Sequence, residues 1–247
     1  MANLVVDIGN TFTKIGVFEH DELLETSQYQ LVDTAVIAGF LNKHTISRAI
    51  ISTVKAGGAQ WEPALSKKTE VIWFSAGMTG AFNNRYQTPA TLGPDRLAGV
   101  IAANHLYPGV NSLVIDAGTC ITYDWVDAKG NYFGGSISPG LKMRFKAVNY
   151  YTASLPLINA DETFTEIYGN DTASSIRSGI QNGIKYELTG FIESYKSNVK
   201  DLNIILTGGD SIFFDTLLKN SIFAPCIKID PHLVLKGLNA AIPHNND

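Results

Sequence analysis

Three aspartates stand where the chain turns or where a helix starts, and each could do chemistry. Asp7 follows Leu4, Val5 and Val6 in the stretch LVVDIGNTFTKIGVF, and Ile8 leads into a turn of Gly9, Asn10 and Thr11 before β-forming residues resume at Phe12. That is a hairpin pattern. A strand ending in a carboxylate and a glycine turn exposes backbone N–H groups that have no strand partner, a concavity suited to a phosphate with its metal ion. The same residues also suit a plain hairpin whose Asp and Asn serve only the turn. Asp116 lies in LVIDAGTCITYDWVD, Leu113 to Asp127, which repeats the first stretch at a constant offset and pairs Asp7 with Asp116, Gly9 with Gly118 and Thr13 with Thr122. Two such copies imply two domains of related topology, each turning a carboxylate toward a shared cleft, with a nucleotide between them as the simplest use.

The third aspartate, Asp95, sits in GPDRLAGVIAANHLY, where Pro94 suits a first helical turn and Leu97, Val100, Ile101 and Asn104 follow at helical spacing. An acid there complements the positive end of the helix dipole, and Arg96 beside it can pair with a surface acid. The polar, glycine-containing loop from Ser75 to Leu92 that delivers this helix is long for a compact domain and points instead to a site.

The elements that must position these groups follow from periodicity. Strands are expected over Glu22–Leu31, Arg48–Val54, Val71–Phe74, Leu202–Leu206 and Ile222–Ile229. Helices are expected after Asp33, over Gln60–Lys67, over Leu141–Tyr151, from Asp171 or Thr172 onward, from Ser211 and over His232–Ala241. GGSISPG, Gly134 to Gly140, allows either close backbone approach to a ligand or a tight turn. The strand, Gly–Gly turn and helix around Thr207–Asp210 make room for a phosphate or planar ring. The stripe Ile176, Ile180, Ile184, Leu188, Phe191 and Ile192 reads as core. Tyr107, Pro108 and Gly109 punctuate the boundary, giving domains over 1–110 and 111–247.

A chain of 247 residues, 45% of them hydrophobic, can bury one large core or two modest ones. A net charge of −4 without a basic run argues against nucleic acid as the main partner. Cys120 and Cys226 make no disulfide framework, and the five histidines form no ligand-like cluster, so a reducing compartment is expected. No apolar run approaches a bilayer span and no signal-peptide pattern opens the chain, so the expectation is a soluble cytoplasmic protein without membrane partners.

With the repeat, GPDR, GGSISPG and TGG in this order, the chain resembles the type III pantothenate kinases of the acetate and sugar kinase, Hsp70 and actin superfamily. The DxG turns and TGG are shared across the superfamily, whereas Tyr86 ahead of GPDR, and Thr172 after GND, are particular to the family. The resemblance implies an α/β fold of two related actin-like (ribonuclease H-like) domains with an ATP cleft between them. It implies phosphorylation of pantothenate to 4'-phosphopantothenate, the first step of coenzyme A biosynthesis, by a homodimer.

On the same resemblance Asp7, Ile8, Gly9, Asn10, Thr11, Phe12, Thr13 and Lys14 cradle the ATP phosphates, with Mg²⁺ or a similar divalent cation on Asp7 through water, and Thr119 touches the phosphates from the opposite side. Asp116 takes a monovalent cation, K⁺ or NH₄⁺. Tyr86, Gly93, Pro94, Asp95, Arg96 and Thr172 line the pantothenate pocket, with Asp95 as general base. Cys120 stands where the family carries Ala in DxGTA, a departure beside the cation site. Two other readings use the same cleft: a kinase of another small alcohol such as a sugar or acetylated amine, and a non-catalytic nucleotide-binding regulator. The second has no use for a base.

Overall fold

Side chains on β1 (Ala2–Ile8) alternate between two cores: Leu4 and Val6 join one cluster, and Val5 joins another. In chain order β2 (Thr13–Glu19), β3 (Glu22–Tyr29), α1 (Thr34–Lys43), β4 (Ile46–Thr53), α2 (Glu62–Ser66), β5 (Glu70–Trp73), β6 (Asn83–Asn84), α3 (Pro94–Leu106), β7 (Asn111–Ala117), β8 (Cys120–Val126) and β9 (Asn131–Pro139) follow. The remainder is α4 (Leu141–Tyr150), α5 (Thr172–Arg177), α6 (Gly183–Lys196), β10 (Leu202–Thr207), α7 (Ser211–Leu218), β11 (Ile227–Ile229) and α8 (Leu233–Ala240). The structure is a computed structural model and describes residues 1–54, 60–78, 82–199 and 201–243. Parts of the expected loop from Ser75 to Leu92, and His244 with the rest of the polar tail, lie outside the described residues.

Two units result. Unit 1 comprises Met1–Pro108, Gly130–Tyr132 and His232–Asp247; unit 2 comprises Gly109–Lys129 and Phe133–Pro231. The first break falls next to the Tyr107–Gly109 punctuation, but the last helix belongs to unit 1.

Unit 1 is built on a sheet of order β3-β2-β1-β4-β5, in which β1 runs antiparallel to β2 and parallel to β4. One face carries Leu4, Val6, Ile15, Val17, Ala49 and Ile51 against Ile37 and Phe40 of α1 and Leu65 of α2. Asp33 caps α1 by accepting from the Val36 N–H at 2.9 Å, an interaction worth about 1 kcal/mol. The other face carries Val5, Phe18 and Ile50 against Ala98 of α3 and Val234, Leu235 and Leu238 of α8. Each of the larger side chains among these contributes roughly 1.5–3 kcal/mol by leaving water. Gly237 lets α8 press onto α3, since a Cβ there would meet the Ala98 carbonyl oxygen.

The second sheet has six strands: β9-β8-β7-β10-β11 repeat the arrangement, with β7 antiparallel to β8 and parallel to β10, and β6 is added beyond β9. Leu113, Ile115 and Ala117 face a core filled by α4, α5, α6 and α7. The aliphatic stripe Ile176, Ile180, Ile184, Leu188 and Ile192 is buried in that core, as its periodicity implies. It runs through one continuous helical stretch in which residues 178–182 widen into a π-turn between α5 and α6. Glu187 ties the layers, accepting from the Tyr123 hydroxyl at 2.8 Å and from Arg144 at 2.5 Å.

Three expectations change. In GGSISPG, residues 134–139 are strand β9 and Gly140 is the N-cap of α4; there is no tight turn, and Gly135 serves close approach to a neighbouring strand, since a Cβ would collide with the Tyr123 carbonyl of β8. The last strand shrinks to Ile227–Ile229, preceded by a 3₁₀ turn at Ala224–Cys226, and Ile222 is exposed. The Gln60–Lys67 helix is confined to Glu62–Ser66, with Trp61 buried just ahead of it.

Candidate active site

In unit 1 the alternation of β1 decides where Asp7 goes. Asp7 shares the face of Val5, which packs beneath α3, and the N-terminus of α3 carries Asp95. Across the strands Asp7 stands opposite Lys14 on β2 and Ser52 on β4. Burial of the Asp7 carboxyl raises its pKa to about 6, the Asp95 charge pushes the same way, and Lys14 and Ser52 pull it down. The group still keeps a solvent-accessible edge. The Ser52 hydroxyl is buried without a hydrogen bond of full geometry, so its hold on Asp7 is the weaker of the two opposing influences.

Beyond Asp7 the chain turns tightly, with the Gly9 N–H donating to the Phe12 carbonyl at 3.0 Å. A Cβ on Gly9 would press that oxygen at 3.1 Å. Asn10, Thr11 and Phe12 are exposed at the tip, whereas Thr13 is buried and Ile8 half-buried.

Asp95 occupies the second position of α3, after Pro94, and its Oδ1 accepts from the Arg96 N–H at 2.9 Å. Gly93 leaves room for this, because a Cβ there would lie 2.6 Å from Asp95 Oδ1. Arg96 is buried in the first turn with its guanidinium carbon 5.7 Å from the centre of the Tyr86 ring. The structure therefore brings Asp7, Lys14 and Asp95 into one electrostatic group, and Tyr86 and Arg96 into another.

In unit 2 Asp116 ends β7 opposite Thr122 on β8 and Thr207 on β10. The turn closes from the Gly118 N–H to the Cys120 carbonyl at 3.0 Å, leaving Thr119 exposed at its tip. Two glycines admit oxygens close to this turn. Gly208 has φ +93°, and a Cβ on it would sit 2.3 Å from Asp116 Oδ1; a Cβ on Gly140 would sit 2.3 Å from the Thr119 oxygen. Gly140 and Asp210 donate their N–H groups to the Thr119 and Ala117 carbonyls. Burial raises the pKa of Asp210, against the opposing charge of Lys142. Cys120 Sγ lies 3.9 Å from Met143 Sδ. Thr172 is exposed at the first position of α5, fixed by a reciprocal cap between Asp171 and Ser174.

These donors fit the ions expected of them. Burial, with the Asp95 charge second, disfavours the Asp7 carboxylate, and a hard cation beside Asp7 would offset both. Beside Gly208 lie Asp116 Oδ1 and the Ala117 carbonyl oxygen, hard oxygen donors of the type that suits a hard cation. Among the described residues no group of three or more His, Cys, Asp or Glu side chains could hold a metal. Sequence reasoning missed Ser52 as a site residue, whereas Gly140 and Gly208 lie in the GGSISPG and Thr207–Asp210 stretches it singled out. A serine near the end of the buried strand RAIISTV was the signal for Ser52.

The paired 3-2-1-4-5 sheets with acid-ended first hairpins define an actin-like α/β fold of the sugar kinase type. Solved structures agree on the fold: a Campylobacter jejuni protein described as a Baf family transcriptional activator superposes with a TM-score of 0.61 at 20% identity, covering 97% of this chain and 96% of its own. The component A of (R)-2-hydroxyglutaryl-CoA dehydratase from Acidaminococcus fermentans gives 0.53 at 11% identity, over 98% and 96%. Residues 3–194 match the type III pantothenate kinase family. Proteins named type III pantothenate kinase are 42% identical in Bacteroides fragilis, over 99% of this chain and 98% of theirs, and 45% identical in Christiangramia forsetii, over 98% of each. The chain belongs to the type III pantothenate kinase family.

Proposed function

We propose that the chain phosphorylates pantothenate with ATP to give 4'-phosphopantothenate, with Asp95 as general base. The observation that carries this reading is the grouping of Asp7, Lys14 and Asp95 at the end of β1 and the start of α3. Phosphoryl transfer places charge on the phosphoryl oxygens and asks the protein mainly to position and neutralise. The Gly9–Phe12 turn and Lys14 meet the phosphates. Asp7 would hold Mg²⁺ through water, an ion that neutralises phosphate charge when bound.

The Asp95 carboxylate takes the proton of the substrate's primary hydroxyl. That oxygen bonds to the γ-phosphorus, the bond to the β,γ-bridging oxygen breaks, and ADP leaves with its electron pair. Arg96 and Tyr86 hold the substrate in line, and Thr172 contributes to the same pocket. Thr119 meets ATP, and Asp116 takes K⁺ or NH₄⁺, with Cys120 beside that site. A regulator of the same fold would need no carboxylate at the start of α3.

Homodimerisation and a cytoplasmic location belong to the same reading. The stripe of the long helix is taken up by the core. Support comes from exposed apolar residues of unit 2: Tyr150, Tyr151, Ile167, Tyr168 and Tyr186. Both cysteines are free, as in a reducing compartment, and no described helix is long and apolar enough to cross a membrane. The test is ADP release with pantothenate against a panel of sugars, in potassium and then in sodium buffer. Release with a sugar and none with pantothenate would overturn the reading.

A further inference from the structure

We propose that Tyr132 is a positioning residue for the substrate side of the site, holding the Tyr86 ring and, through it, the Arg96 guanidinium. The inference rests on the reading that Tyr86 and Arg96 contact pantothenate.

Tyr132 is fully buried at the start of β9, in the three-residue segment that belongs to unit 1. Its ring stacks on Tyr86 at 6.1 Å between centres with the planes 14° apart, and on Phe82 at 5.9 Å. Arg96 then sits 5.7 Å from the centre of the Tyr86 ring. The result is a ladder of Phe82, Tyr132, Tyr86 and Arg96. Tyr86 is only half-buried, so enclosure alone does not set its orientation; the ring beneath it does.

The backbone repeats the arrangement. β6 pairs in parallel with the first two residues of β9, the Arg85 N–H donates to the Tyr132 carbonyl at 2.7 Å, and the Asn83 N–H to that of Gly130 at 2.8 Å. Asn84 Oδ1 accepts from the Tyr86 N–H at 3.0 Å. Main chain and side chain of the Tyr86 loop are thus both registered on one short segment. An aromatic stack and a cation over a ring are each directional, so loss of the lowest ring releases the two above it.

The experiment is steady-state kinetics with pantothenate varied at saturating ATP, and ATP varied at saturating pantothenate. The variants are Tyr132→Leu, Tyr132→Phe, Tyr86→Leu and the double variant Tyr132→Leu/Tyr86→Leu. Tyr132→Leu is expected to raise KM for pantothenate about 3- to 10-fold, the range of one lost aromatic pair, with kcat and KM for ATP within about twofold. Tyr132→Phe keeps the ring and should restore the KM. The double variant should be no worse than Tyr86→Leu alone.

Unchanged KM for pantothenate in Tyr132→Leu, beside a raised KM in Tyr86→Leu, overturns the positioning role and leaves the substrate reading intact. Unchanged KM in Tyr86→Leu itself overturns the substrate reading, and this inference with it. Additive effects in the double variant, or equal losses in both substrates that Phe does not rescue, assign Tyr132 to packing alone. Tyr132→Met, long and apolar without a ring, is read in the same way and covers a leucine variant that does not fold.

Discussion

Asp7 and Asp116 end equivalent strands of equivalent sheets, and in each unit the residues alternating with them, Leu4 and Val6 or Leu113 and Ile115, face the helices of that unit's main core. Their surroundings nonetheless differ. In the first hairpin Ile8 pairs with Thr13; in the second Ala117 pairs with Ile121, so the second turn is one residue shorter. Because side chains alternate along a strand, that one residue changes what crosses over to the acid. Asp7 meets Lys14, and Asp116 meets Thr122. Across the strand pair Asp7 faces an ammonium, whereas Asp116 faces a threonine hydroxyl. On the proposed reading, the same motif serves phosphate and a divalent ion in one half and an alkali ion in the other.

The largest expected effect is at Asp95 of unit 1, the carboxylate proposed to take the substrate's proton. Asp95→Asn keeps the shape and the Arg96 N–H contact but cannot take a proton, so kcat should fall roughly 10²- to 10⁴-fold while ATP binding persists. Near wild-type turnover with pantothenate would make Asp95 a helix-start residue only. Next, Asp116→Asn should lower kcat about 10²-fold in potassium buffer, as loss of one preorganised charge-stabilising group commonly does, and erase the difference between potassium and sodium. A variant that still responds to potassium places the ion elsewhere.

Thr122→Lys sharpens the comparison by giving Asp116 the partner that Asp7 already has. Activity should then be equal in sodium, potassium and ammonium buffers, at or below the wild-type rate in sodium. Retained activation by potassium would show that the ion does not compete with an ammonium at that position.

The smallest effect is one of stability. A raised folded-state pKa means that the stabilising contribution of Asp7 is full below about pH 3.8 and is lost as pH rises through about 6. The rise from 3.8 to about 6 corresponds to about 3 kcal/mol, which solvent contact at this half-buried group reduces to about 1–2 kcal/mol. Without nucleotide or metal, Asp7→Asn should therefore melt on the order of 2–6 °C above wild type at pH 8, with little difference at pH 4. Equal Tm values at pH 8 would mean that the carboxylate is not held at a cost.

The parts legible in the sequence were those set by local chemistry. Asp33 capping α1, Pro94 opening α3 and the buried isoleucine stripe from Ile176 onward needed only neighbours in the chain. The shorter second turn was hidden because the two stretches match residue for residue, and only the pairing register separates them. GGSISPG left close approach to a ligand and a tight turn equally open; here Gly135 answers the carbonyl of an adjacent strand, a demand that no local pattern carries. At the site, Asp7, Asp95 and Asp116 were visible as acids at turns and helix starts, whereas Ser52 and Tyr132 were assigned their neighbours by strand register and ring stacking.

Unit 1 is also discontinuous in time. Its sheet is complete once β5 has been made, yet Val5, Phe18 and Ile50 on the α3 face await Val234, Leu235 and Leu238 of α8, at the far end of the chain. At about 5–20 residues per second, the intervening residues 109–231 occupy a ribosome for on the order of ten seconds. During that interval part of an apolar sheet face stands uncovered on the nascent chain, while unit 2, whose main segment runs from Phe133 to Pro231, can fold as it emerges. The half that comes first from the ribosome is therefore the half that finishes last.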